Sequence, residues 1–170
     1  MDEIQAGELQ PGNESFDTRS GFHAALKAAF AQAAQEGSRE LWLCDRDFAD
    51  WPLGESAVVE TLRQWADARR KLVLLAGTYD EFTRRHTRWL DWRLHWSHIA
   101  DCRMVDEQDT PVMPCILLSP NLVAVRRLDE FSSYRGRVYR EGTDLARCRE
   151  IIDAIAQRSE PAFPATTLGL

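Results

Sequence analysis

The sequence predicts an α/β fold: a mainly parallel mixed sheet with helices on both faces and an antiparallel hairpin extension. Three observations carry that prediction. Leu72-Val73-Leu74-Leu75-Ala76 is an unbroken apolar run, the pattern of a strand buried on both faces. Segments of helical period alternate with short apolar runs, which is the order of β-α-β units. Finally, Cys115 to Leu118 and Leu122 to Val125 flank Ser119-Pro120-Asn121, a turn triplet that folds two strands back on each other.

Residues 1–15 hold Gly7, Pro11 and Gly12 with few large apolar groups, and read as a loose N-terminal arm. From Ser20 to Gln35, Phe22, Leu26, Ala29, Phe30 and Ala33 recur at helical spacing, and Gly37 supplies the stop. Leu41 to Cys44 is a short strand ending in Asp45. Past Trp51-Pro52-Leu53-Gly54, the residues Val58, Val59, Leu62, Trp65 and Ala66 mark a second helix. Thr78 and Glu81 fit a capping box that opens a third helix, running to about Trp92 with Phe82, His86, Trp89 and Leu90 inward. Ile99 to Val105 is the next strand, and residues 106–111 are loop. Arg126 to Arg140 reads as strand plus irregular structure. A last helix starts near Thr143 with Leu145, Cys148, Ile152, Ile155 and Ala156 on one face. Residues 16–160 thus make one domain. The uncharged tail, residues 161–170, is expected to dock in an apolar groove, because a frayed terminus is usually polar.

Composition narrows the function classes. The 170 residues carry 21 basic and 27 acidic side chains, a net charge of −6, which argues against a uniformly basic nucleic-acid binder. Nucleic acid is therefore not an expected partner. The charge is uneven, however: between residues 126 and 149, Arg126, Arg127, Arg135, Arg137, Arg140, Arg147 and Arg149 face four acids. No apolar run approaches the roughly 18 residues of a membrane span, and the acidic start lacks a secretory pattern, so a cytoplasmic protein is expected. Cys44, Cys102, Cys115 and Cys148 lack C-x-x-C spacing and sit in apolar segments, as buried free thiols do. No P-loop, dinucleotide or G-x-S-x-G signature occurs, and no cofactor is expected.

Three constellations could carry chemistry or binding. Asp45 and Asp47 directly follow the first apolar strand, where ligands of α/β sheets sit. With Asp106 or Asp109 after a later strand they could hold Mg²⁺, whose preferred ligands are oxygens. The competing reading is that Asp45 and Asp47 cap their own loop and the next helix. His95, His98 and Cys102 are zinc-type ligands without an evident fourth. Trp89 and Trp92, beside Arg85 and Arg88, would make an aromatic and basic helix face able to stack bases or meet a partner, if that face is not simply buried.

From Ala33 through Leu43, Phe48, Leu62 and Leu72-Val73-Leu74-Leu75, and in element order over residues 16–160, the chain resembles one half of a phospholipase D-like domain. That family's chemistry rests on H-x-K-x-x-x-x-D, where His attacks phosphorus and Lys binds phosphate. The segment that lines up is Met113 to Pro120, with Met113 in place of the His, Cys115 in place of the Lys and Pro120 in place of the Asp. The resemblance therefore implies a degenerate half-domain without phosphodiesterase activity. It also implies a homodimer, since catalytic members place two halves about a dyad. The Pro164-Ala165-Thr166-Thr167-Leu168-Gly169-Leu170 ending is similar to that of small bacterial domains of this class. A non-catalytic binding or regulatory module is the leading reading. The alternatives are a Mg²⁺-dependent phosphohydrolase using Asp45 and Asp47, and a nucleic-acid accessory protein.

Overall fold

A computed structural model describes residues 13–128 and 133–164. In chain order the elements are β1 (Asn13–Phe16), α1 (Arg19–Glu36), β2 (Glu40–Cys44), α2 (Ser56–Trp65), β3 (Lys71–Ala76), α3 (Asp80–Arg85), α4 (Thr87–His95) and β4 (Ala100–Met104). After a single 3₁₀ turn at Thr110–Val112 come β5 (Cys115–Ser119), β6 (Val123–Arg127), β7 (Gly136–Tyr139), α5 (Gly142–Gln157) and the two-residue β8 (Glu160–Pro161).

The strands form one sheet in the order β1-β7-β6-β5-β2-β3-β4-β8. Only β2–β3 and β3–β4 pair in parallel; the other five pairings are antiparallel. The α/β class holds, while the expected parallel majority does not. A parallel return needs a long crossover, usually a helix. The chain between β4 and β5 has only the 3₁₀ turn, so β5 re-enters at the end where β4 leaves and runs back beside β2.

Helices cover both faces unequally. On one side α1 to α4 pack over alternate strand residues, Leu41, Leu43, Leu72, Leu74, Leu117 and Val125 among them. On the other, α5 alone buries Leu145, Cys148, Ile152 and Ile155 against Val73, Leu75, Ile116, Leu118 and Ala124. Period-two alternation in β5 divides the cores: Ile116 and Leu118 face α5, Cys115 and Leu117 face the four helices. The two ends of α1 follow local rules. Thr18 accepts the Gly21 amide at 3.0 Å, and Gly37 closes the helix in the left-handed region at φ 70°.

Two boundaries differ from expectation. Residues 13–16, placed by sequence in the loose arm, are an edge strand paired with β7; Phe16, the strand's large apolar residue, tilts onto Phe22 of α1. Residues 1–12 of that arm lie outside the described residues. The helix expected from Thr78 to Trp92 is broken into α3 and α4 at His86, whose φ −125° and ψ 41° are not helical. The His86 ring leaves the helix register to donate from Nε2 to the Phe48 carbonyl at 2.7 Å. Thr78 accepts the Asp80 amide rather than that of Glu81, so the helix starts one residue further on.

Gly54 ties the loop after β2 to this break. A Cβ there would stand 2.2 Å from the Arg85 carbonyl, a backbone atom with little freedom to move. Gly54→Ala should cost about 1–3 kcal/mol. The check is a urea titration, in which the midpoint falls and the slope stays constant.

Candidate functional site

Because β5 runs antiparallel to β2, one end of the sheet gathers the carboxyl ends of β2, β3, β4 and β6 with the amino end of β5. Asp45 leaves β2 at this rim, and Cys115 and Arg127 lie opposite each other across β5 and β6. Asp45 turns back on its own loop: its Oδ2 accepts the Phe48 amide at 2.8 Å, and Phe48 holds a left-handed φ of 58° to allow it. The Cys115 thiol lies beside the Asp45 carboxylate. Burial pushes the Asp45 carboxyl up to about 6, and the neighbouring Asp47 adds to the rise. Burial, with the Asp45 charge beside it, pushes the Cys115 thiol well above its ordinary value, so the thiol stays neutral.

Arg127 supplies the positive charge at the rim. Its guanidinium lies 3.5 Å from Asp50 and 4.3 Å over the Tyr134 ring. Arg19 approaches Asp50 at 3.8 Å, and His23 Nε2 donates to the Asp50 carbonyl at 2.5 Å. Sequence reasoning counted Arg127 within the arginine-rich stretch but did not bring Arg127, Asp50 and His23 together. The available signal was the switch from Val123-Ala124-Val125 to Arg126-Arg127, which marks where β6 emerges at the rim.

The positions matched to a phospholipase motif do not come together as a pair. Met113 is 2% exposed and packs toward α5; Cys115 is 4% exposed and packs toward the four helices. Two residues apart on a strand they would share a face. Met113 instead closes the 3₁₀ turn before Pro114, and β5 begins only at Cys115, so the alternation does not bind it. Pro120 stands in the turn at the far end of β5, lining a hollow of 380 Å³ with Ser38 and Glu40.

The acidic constellation is not assembled either. Asp45 and Asp47 each accept a loop amide, from Phe48 and Ala49. Asp106 is exposed, and its carbonyl caps the 3₁₀ turn. Among the described residues no three His, Cys, Asp or Glu side chains lie close enough to share a metal ion, which corrects both the Mg²⁺ set of Asp45, Asp47 and Asp106 and the zinc set of His95, His98 and Cys102. Cys102 is buried, and burial pushes its thiol up to about 12. All four cysteines are buried free thiols.

The aromatic and basic helix face is split by burial. Trp89 is fully buried and Trp92 is 5% exposed, because α4 turns them into the core against Phe82 and each other. Arg85 and Arg88 remain outside, on an open groove of 400 Å³ shared with Arg19, His23, Trp51 and Glu55. Arg85 pairs there with Glu81 at 2.7 Å, and Arg88 donates to the Gly54 carbonyl at 3.0 Å.

Ala162 donates to the Cys102 carbonyl at 2.9 Å, continuing the β8 pairing along the edge of β4. Phe163 stacks on Tyr79 at 4.8 Å and covers the buried guanidinium of Arg93 at 5.0 Å. Residues 165–170 lie outside the described residues. No helix among the described residues is long and apolar enough to cross a membrane.

This strand order and helix placement have counterparts among solved structures. A phospholipase D family member, Nuc from Salmonella typhimurium, superposes with a TM-score of 0.55 at 7% identity, over 88% of this chain and 98% of its own. The fold is phospholipase D-like. NucT from Helicobacter pylori matches at a TM-score of 0.59 and 5% identity, again over 88% of this chain and 98% of that one. TrmBL2, described as an archaeal chromatin protein with a novel mode of DNA binding, matches at 0.62 and 13% identity over 94% of this chain. The present chain spans 57% of TrmBL2. No family model matches the sequence, and no curated protein does.

Proposed function

We propose that this chain is a non-catalytic phospholipase D-like binding module. The observation that carries the reading is the state of the rim, where a phosphodiesterase of this class would need a nucleophile and a phosphate-binding cation. Met113 and Cys115 are buried on opposite faces of the sheet there. The polar groups at the rim include a neutral thiol, a carboxyl committed to a backbone amide, and an arginine held by Asp50. Methionine and a protonated thiol are poor phosphoryl nucleophiles, because nucleophilic catalysis needs a lowered pKa or an adjacent base. The phosphohydrolase alternative lacks support, since Asp45 and Asp47 each accept a loop amide and no third acidic side chain joins them among the described residues. As a single half, the chain is further proposed to pair with a second copy, which light scattering at two concentrations would test.

The purified chain should leave both a generic phosphodiester and a generic phosphomonoester intact, with and without Mg²⁺. Turnover that survives repurification and is lost in Asp45→Asn would overturn the reading. The double substitution Met113→His with Cys115→Lys should also stay inactive, since its side chains would enter two different cores. It should melt well below the parent, because a lysine placed at the buried 115 position lacks a committed partner.

A further inference from the structure

The sheet is covered unevenly on its α5 side. That helix packs over β2, β3, β5 and part of β6 on this face, and the strip formed by the rest of β6 with β7 and β1 carries polar residues. Ala124 and Tyr139 are cross-strand partners that pack toward α5. Counting two residues along each strand puts Arg126 and Arg137 on the same face, and they too are directly opposite partners in the ladder. Ser15 on β1 faces Arg137 from the next strand. Directly opposed side chains have Cβ atoms about 5 Å apart, and like charges so placed destabilise a sheet.

The protein has 19 arginines. Ten of them have a carboxylate within 4.0 Å, Arg140 and Arg149 among them. Outside the strip, Arg39, Arg69, Arg88 and Arg93 have no carboxylate within 4.0 Å among the described residues. Arg126, Arg135, Arg137 and Arg147 likewise have none among the described residues. These last four belong to one neighbourhood: Arg135 and Arg137 line a shallow groove of 580 Å³ with Ser15, Asp17 and Tyr139. Arg147 directly precedes Cys148 on α5, and Arg126, Asp144 and Arg147 all act electrostatically on the Cys148 thiol. Among the described residues, Asp17 lines the same groove and Asp144 acts on the Cys148 thiol, and neither has a basic side chain within 4.0 Å. The surplus charge seen in the sequence is thus concentrated on a solvent-facing strip, on the sheet face opposite the helices that carry Arg85 and Arg88.

Opposed guanidinium groups without acids are stabilised by an oxyanion between them, and planar guanidinium forks suit phosphate oxygens. An elongated strip, with the half-buried Tyr139 ring along it, fits a chain of phosphates better than one small ion. Resting on the reading of this chain as a binding module, we infer that the β6–β7–β1 face binds the phosphodiester backbone of a nucleic acid through Arg126, Arg137, Arg135 and Arg147. The overall charge of −6 does not oppose this, because contacts are made by the local field of the strip. The fold likeness to a DNA-binding chromatin protein is consistent with it.

The test is fluorescence anisotropy with a labelled single-stranded oligodeoxynucleotide at low and rising salt. The parent should bind, with log affinity falling linearly in log salt. The double variant Arg126→Thr/Arg137→Thr should lose about tenfold in affinity per arginine, and its salt slope should shrink by about 0.7 per lost contact. Its melting temperature should be no lower than the parent's, since the substitution removes a like-charge pair and adds a good strand former. The control Arg69→Thr/Arg84→Thr changes the net charge equally at two exposed sites and should bind as the parent does. Absence of binding at low salt, equal loss in both double variants, or an unaffected Arg126→Thr/Arg137→Thr protein would overturn the inference. So would full displacement by inorganic phosphate at matched ionic strength, which would make the strip a small-oxyanion site. A gel of the same samples separates the two readings: a cleaved oligonucleotide defeats the non-catalytic reading, whereas an intact but unbound one defeats this inference.

Discussion

Phe82→Ala is expected to destabilise the protein by about 3–5 kcal/mol, the range for deleting a large buried aromatic side chain. Phe82 is fully buried and stands at the centre of a ring cluster. It meets Trp89 at 5.0 Å, His86 at 5.2 Å, Tyr79 at 5.4 Å, Phe48 at 5.7 Å and Phe163 at 5.9 Å between centroids. These neighbours come from the loop after β2, the start of α3, the α3–α4 break, α4 and the C-terminal segment. Relaxation by one of them cannot fill the space without disturbing the others, so the cavity term adds to the transfer term. The loss should appear as a lower denaturant midpoint. Val112→Ser, at a position 75% exposed, should stay within about 0.5 kcal/mol of the parent. A Phe82→Ala protein as stable as the parent would mean that the cluster does not organise this half of the core.

Most of this fold was legible because its signals are local. The apolar run of β3, the periodic face of α1 with Gly37 behind it, and the Ser119-Pro120-Asn121 turn each report on their own few residues. Strand direction was not legible in the same way, since it depends on whether the chain crosses the sheet between strands. The short turn at Thr110–Val112 decides that for β5, and it has no helical period to read. The edge strand β1 was missed for a related reason: one aromatic residue in four gives no alternation, and its pairing with β7 is a contact across more than a hundred residues.

The site was less legible than the fold. Helical spacing correctly put Trp89 and Trp92 on a common face with arginines nearby, but spacing cannot say which part of a face is buried. The break at His86 rotates α4 so that both tryptophans enter the core and Arg85 and Arg88 stay outside. Arg93, expected on no inward face, is buried under Phe163. The arginine surplus of residues 126–149 was visible as a count. That Arg126 and Arg137 oppose each other follows only from the register of β6 on β7.

Asp45 gives the sharpest test of whether the rim is structural or chemical. Its carboxyl is raised from the ordinary 3.8 to about 6, chiefly because burial disfavours the charged form. A carboxyl with a raised folded-state value holds its proton more tightly when folded. Its contribution to stability is therefore fully present below about pH 4 and is lost as pH rises through about 6. Two pH units correspond to about 3 kcal/mol, an upper bound for a residue that keeps some contact with solvent. Asn cannot ionise, and its Oδ1 can still accept the Phe48 amide at the 2.8 Å position. Asp45→Asn should accordingly raise stability by about 1–3 kcal/mol at pH 8, and the difference should shrink toward zero near pH 4. Parallel urea titrations of parent and variant across that interval isolate this one group, because every other titrating residue is common to both. A difference independent of pH, or a variant less stable than the parent at pH 8, would show that the Asp45 charge is compensated in the folded protein. It would then be available for a role that the buried, amide-bound carboxyl described above does not have.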